Sequence, residues 1–258
     1  MVTATVIKKI SMAVVSSAII ALGTGGLAQA AIIVPNELKA TEGDINNGFP
    51  FSLDFQGRYQ QVFSASAFAS LSEPQLISQI AFRPDADFGN AFSSTLSSIL
   101  INLSTTTSVP DNLSNTFANN VGADNITVFS GPLSLSSADE GLASGPKNFD
   151  IVINLQNPFL YDPTKGNLLL DVRNFVRGTT TQFDAQQHLS IIYGDSDSVS
   201  RQRSFDPNSA TAEEQDTIGL VTKFTFTSVP ESSTTLGTLA ISVWGAALLK
   251  RKHQKKTT

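Results

Sequence analysis

Cysteine is missing from all 258 residues, which excludes disulfides, thiolate metal sites, a cysteine nucleophile and an acylated lipoprotein anchor. Tryptophan occurs once, at Trp244, and tyrosine three times, at Tyr59, Tyr161 and Tyr193, against 17 phenylalanines. Platforms that stack onto sugar rings usually use exposed Trp or Tyr, so the phenylalanines read as filling between sheets. Basic residues are scarce where they would matter for nucleic acid. Residues 31–230 carry 10 bases and 21 acids, a net of −11. Arg173, Arg177, Arg201 and Arg203 are too diluted to make a phosphate-binding face, so no nucleic-acid partner is expected.

The bases that remain sit at the two ends. Lys8 and Lys9 open a segment without acids, Ile10 to Leu22 is mostly apolar and small, and Gly23 to Gly26 breaks any helix. Ala28-Gln29-Ala30 then supplies a small-x-small cleavage site, so residues 1–30 read as a signal peptide and the mature chain should begin near Ala31. The alternative is an N-terminal membrane anchor, which the short apolar run and the adjoining cleavage site disfavour.

At the other end, Val229-Pro230-Glu231-Ser232 precedes the charge-free run Leu236 to Leu249 and then Lys250-Arg251-Lys252. Those 14 residues span only ~21 Å as a helix, against a hydrocarbon core of ~30 Å. Counting from Ser232 lengthens the span to ~27 Å, with Lys and Arg snorkelling at the inner edge. The basic tail should stay cytoplasmic, which places residues 31–230 outside. Gly237, Ala240, Gly245, Ala246 and Ala247 make a small-residue helix, able to enter a membrane but poorly built as a lasting anchor.

This order of motif, short apolar helix and basic tail resembles the PEP-CTERM sorting signal. Pro230 and Glu231 match the first two residues of the Pro-Glu-Pro motif, and Ser232 stands where the second proline is usual. The resemblance covers residues 229–256 and implies a motif at 229–232, a transmembrane helix at 233–249 and a basic tail at 250–258. It implies two processing partners, signal peptidase and a membrane-embedded exosortase that cleaves near the motif and releases the ectodomain. It further implies a Gram-negative-type envelope, a transient stay in the inner membrane, and a final place at the cell surface or outside the cell. A link to exopolysaccharide or biofilm comes with it. A Gram-positive wall signal is disfavoured, because no Leu-Pro-x-Thr-Gly precedes the helix. The alternative is a permanent single-span protein with its bulk outside.

Between the ends, residues 31–228 are expected to form one all-β domain, a single β-sandwich of jelly-roll type. Helical periodicity is nearly absent, and short runs rich in Phe, Ile, Val, Leu and Thr recur between turn-forming clusters. Strands are expected at Gln61–Ala69, Leu76–Arg83, Leu96–Leu103 and Ile126–Ser130. Four more are expected at Phe149–Leu155, Leu168–Phe175, Leu189–Tyr193 and Ile218–Phe226. Ser130-Gly131-Pro132 and Asn157-Pro158 are among the expected separators. Alternation is clearest in Phe149, Ile151, Ile153 and Leu155, and again in Ile218, Leu220, Phe224 and Phe226, the mark of strands that bury one face. No fixed-period repeat supports a β-helix. Asn148 to Phe175 also resembles ectodomains of the same sorting class.

Chemistry-bearing residues are few. His188 is the one histidine of the body, and Gly194-Asp195-Ser196 faintly resembles the nucleophile block of SGNH esterases. Here the histidine comes first and an expected strand separates the two, with no Gly-x-Ser-x-Gly elbow, so a His-based hydrolase is disfavoured. Acidic groups are more numerous. Asp85 and Asp87, Asp195 and Asp197, and Glu213-Glu214-Gln215-Asp216 offer oxygens on expected loops, where a structural calcium ion would find ligands. None follows the EF-hand spacing, and loop carboxylates also serve as solvated turn formers. A glycosidase would need two carboxylates at a set separation, which spacing alone does not give. The reading is therefore a non-enzymatic surface or matrix protein without a cofactor. A polysaccharide-binding module is the first alternative, and a carboxylate-based glycan hydrolase the second.

Overall fold

The computed structural model describes residues 29–52, 55–141, 145–187 and 198–229. The expected signal peptide as far as Ala28, the expected strand Leu189–Tyr193 and the expected sorting segment from Pro230 lie outside the described residues. The rest is all-β, with several sheets. Thirteen strands are described: β1 (Gln29–Val34), β2 (Ile45–Asn47), β3 (Gly57–Phe63), β4 (Gln75–Phe82), β5 (Phe92–Thr106), β6 (Ile126–Ser137) and β7 (Ile151–Tyr161). They continue with β8 (Asn167–Asn174), β9 (Phe183–Gln187), β10 (Val199–Ser204), β11 (Glu214–Asp216), β12 (Ile218–Leu220) and β13 (Thr222–Thr227). Helical structure among the described residues is confined to single 3-10 turns at 36–39, 65–68 and 117–120. None of it is long and apolar enough to cross a membrane.

Every strand pairing is antiparallel. One sheet has the order β1-β13-β4-β7, a second β11-β10-β3-β8-β5-β6, and a third, smaller one β12-β9-β2. Alternation decides which side chains turn inward. Ile32, Ile80, Ile153, Phe224 and Phe226 from the first sheet share one core with Phe63, Ile101, Leu170 and Val172 from the second. Phe183 and Leu220 bring the third sheet into the same core. The phenylalanines do fill the space between sheets: Phe63 meets Phe224 edge-to-face at 5.0 Å, and Phe68 meets Phe224 at 5.5 Å.

Several strand boundaries differ from expectation, each for a local reason. The run Gln61–Ala69 ends as a strand at Phe63, because residues 65–68 turn into a 3-10 helix that buries Ala67 and Phe68. Ile218–Phe226 is broken at Val221, whose N–H donates to the Asp184 carbonyl and so leaves the ladder between β12 and β13. Two expected separators lie inside strands. Pro132 and Pro158 both fall on edge strands, β6 and β7, where a missing N–H costs no ladder bond. Both also sit at register shifts, and Gly131 (φ 125°) supplies the backbone freedom that the first one needs.

Those same irregularities join the two larger sheets. Between Gln79↔Asn154 and Ile77↔Phe159, residues 155–158 bulge out opposite Ser78. Gln156 in the bulge accepts from the Ser130 N–H at 3.0 Å and donates to the Ser130 carbonyl at 3.1 Å, and Asn157 donates to the Thr127 carbonyl at 3.0 Å. Side-chain amides thus bind β7 to β6, the exposed edge of one sheet to that of the other.

Candidate functional site

Past Phe82 the chain of β4 does not turn away. Pro84 forms an isolated bridge with Phe183, the Asp184 N–H donates to the Arg83 carbonyl at 3.1 Å, and the Asp85 N–H donates to the Gln182 carbonyl at 3.0 Å. Residues 83–85 therefore run beside residues 182–184, and the acids of two distant segments meet around one arginine. Arg83 is 1% exposed. Its Nε donates to Asp184 Oδ2 at 2.6 Å, and its Nη2 donates to the carbonyls of Leu38 at 3.0 Å and Thr41 at 2.6 Å.

The loop ahead of β2 closes the cluster. The Gly43 N–H donates to Asp184 Oδ1 at 2.9 Å, and a Cβ on Gly43 would fall 1.9 Å from the Ala185 carbonyl oxygen, so the approach requires glycine. Glu42 Oε1 accepts from the Ala86 N–H at 2.9 Å, while Glu42 Oε2 is buried without a partner. Asp85 Oδ1 caps the next turn, accepting from the N–H groups of Asp87 at 3.0 Å and Phe88 at 2.7 Å. One carboxylate oxygen from each of Glu42, Asp85 and Asp184 lies within 4.8 Å of the others.

Burial and mutual repulsion set the protonation of this group. Burial is the largest influence on Asp184; the nearby Glu42 charge adds to it and Arg83 opposes it, leaving the acid pushed up to about 7. Glu42 is also raised, again chiefly by burial. Calcium takes six to eight oxygens, and the cluster supplies three from side chains, with Arg83 already compensating Asp184. Its geometry suits a proton held between Glu42 and Asp184, which would give Glu42 Oε2 a donor and relieve the repulsion.

The sequence-predicted ligands are divided by this arrangement. Asp85 is in the cluster. Asp87 is an exposed residue that contributes its backbone N–H, not its carboxylate. Asp195 and Asp197 lie outside the described residues, as do His188 and Ser196. The acidic run 213–216 is used structurally: Asp216 pairs with Arg201 through two bonds of 2.8 and 2.9 Å, Glu214 pairs with Arg203, and Glu213 accepts from the Ser204 hydroxyl at 2.8 Å. Glu42 and Asp184, which complete the cluster, carry no spacing signal. They are brought together only by long-range pairing.

A second buried polar network covers the outer face of the six-stranded sheet. Arg58 donates to both oxygens of Asp171 at 3.0 and 2.5 Å, and Gln60 joins them by donating to Asp171 Oδ2 at 2.9 Å. Gln60 Oε1 in turn accepts from Asn120 at 3.1 Å and Gln202 at 2.8 Å. The Arg58 guanidinium lies 4.5 Å from the Phe117 ring centroid. This network ties the 107–125 connection down onto β3, β8 and β10, and its members satisfy one another.

Of the processing residues expected from the sequence, Ala30 is described and lies on β1, opposite Phe226 of β13. Ala28, Pro230, Glu231 and Ser232 lie outside the described residues. Comparison with protein-family models, with curated proteins and with solved structures found no match to the chain.

Proposed function

We propose that the chain is an exported, exosortase-processed protein of the cell surface or extracellular matrix, with a single jelly-roll-like β-sandwich over residues 31–228 as its non-enzymatic body. The tripartite tail behind a signal peptide carries this reading. The pairing of β1 with β13 supports it. Gln29 lies opposite Thr227, so the export cleavage site and the sorting motif, which begins two residues after Thr227, lie at the same end of one strand pair. A cut near Pro230 to Ser232 then removes the tether without touching a strand that carries the core.

The acids support a structural rather than a catalytic role. Glycosidase carboxylates must flank a bound sugar in an open site. Asp85 and Asp184 are buried, and Asp184 is fixed by Arg83 and Gly43 in the fold's interior. Intact-mass analysis of the mature protein tests delivery: a species running from near Ala31 to about Glu231 is expected, and recovery of an intact lysine-rich tail counts against it. Incubation of the purified protein with exopolysaccharide tests the non-enzymatic part, with unchanged polymer length as the expected result.

A further inference from the structure

Four of the body's 10 bases, Lys39, Arg83, Lys147 and Lys223, line one open groove of about 470 Å3, together with Ile33 and Phe149. The groove lies over the outer side of the β1–β13 pair, where Ile33 and Lys223 are register partners. Among the described residues, no carboxylate lines it. In a body of net charge −11, such segregation of cations is a local reversal of sign.

The four cations are not equally compensated. Arg83 is tied to Asp184, and Lys147 to Asp139 at 3.2 Å. Lys39 and Lys223 have no side-chain hydrogen bond or ion pair among the described residues, and Arg83 Nη1 carries no hydrogen bond while its Nε and Nη2 do. Arg83 is held rigidly by its three other bonds and by the Phe149 ring, whose centroid lies 4.9 Å from its Cζ. Arg83, fixed and almost fully buried at the floor of the groove, adds its positive charge beneath the two uncompensated ammonium groups of Lys39 and Lys223, and together they favour an oxyanion in the groove.

We propose that this groove binds the carboxylate groups of an acidic polysaccharide. Its volume is in the range of small-ligand sites, enough for a short stretch of sugar rings and not for a folded partner. Recognition is by charge, since neither tyrosine among the described residues, Tyr59 or Tyr161, is on the surface. The choice of a polysaccharide as the carrier of the anion rests on the proposed delivery to the cell surface or extracellular matrix and on the exopolysaccharide link that the sorting-signal resemblance implies; the anion site itself rests on the groove alone.

The test is titration of the purified full chain with polygalacturonate, neutral dextran, inorganic phosphate and single-stranded DNA, followed by calorimetry. Polygalacturonate should bind, with an affinity that falls as salt is raised, and dextran should not. The double charge reversal K39E/K223E should weaken polygalacturonate binding by about tenfold or more, with the thermal transition little changed, because neither side chain bonds to the fold. K165E, a lysine outside the groove, should leave binding unaltered. Equal loss in K165E, equal binding of dextran, or no binding of polygalacturonate would overturn the proposal. So would phosphate or DNA binding that depends on Lys39 and Lys223 while polygalacturonate fails to bind. Tail retention, read by mass, bears on delivery alone, so the two readings fail separately.

Discussion

Ala30 stands opposite Phe226 in the β1–β13 ladder, so the residue that ends the proposed export cleavage motif is a strand partner of the last core phenylalanine before the proposed sorting motif. Removing residues up to Ala30 trims two rungs and leaves Ala31 to Val34 paired with Thr225 to Thr222. The buried Ile32 and Val34 stay in place. Both proposed processing steps would therefore act at one corner of the molecule without opening its core.

For delivery, the expected outcome is that P230A/E231A retains the basic tail in cells that process the parent chain. Mass spectrometry of the membrane fraction reads this directly. Efficient loss of the tail in that variant would mean that the motif does not direct the cut.

Arg83 and Asp184 form a buried pair, with side chains 1% and 0% exposed. Replacing Arg83 by leucine leaves a buried acid without its counter-charge and frees the carbonyls of Leu38 and Thr41. A loss of roughly 3–5 kcal/mol is expected. The double variant R83L/D184L should lose less than R83L alone, since no lone charge remains. Chemical denaturation measures both, and a double variant as unstable as the sum of the singles would deny the coupling.

The sequence shows the β class plainly, because alternation in Ile151 and Ile153 or in Phe224 and Phe226 is a local property that the sheets preserve. Boundaries were less legible. Proline and glycine announce turns, yet Pro132 and Pro158 sit within edge strands, and whether a strand is at an edge is decided by the whole sheet order. Strand β10, Val199–Ser204, went unread because its six residues are all buried while five of them are polar or charged. Arg201 and Arg203 in it are accommodated by partners on β11. The same limit applied to the acidic cluster. Asp85 could be singled out from its neighbours in sequence, but Glu42 and Asp184 are 142 residues apart; the pairing of β2 with β9 brings those two together, and the bridge of Pro84 to Phe183 adds Asp85.

The amides of Gln156 and Asn157 span the two sheet edges through three hydrogen bonds to β6. Q156A/N157A should cost about 1–3 kcal/mol. Amide hydrogen exchange should quicken first in β6 and β7, with β3 and β8 at the sheet centre unaffected. Uniform quickening across all strands would show that the clasp has no local role.

The last expectation concerns pH. An acid whose folded pKa is raised holds its proton in the native state after the unfolded chain has released it, so stability declines as pH rises across that window. For Asp184, pushed up to about 7, the window opens near the ordinary carboxylate value and closes around neutrality. Glu42 is raised as well, so the pair contributes in the same sense. E42Q removes one charge and places an amide donor where Glu42 Oε2 has no partner. Relative to the parent chain, E42Q should therefore be more stable at pH 8 and nearly equal at pH 5, where the native cluster already holds its proton. Thermal or denaturant melts at the two pH values decide the matter. A variant destabilised equally at both would show that Glu42 acts through its hydrogen bond to Ala86 and not through its charge.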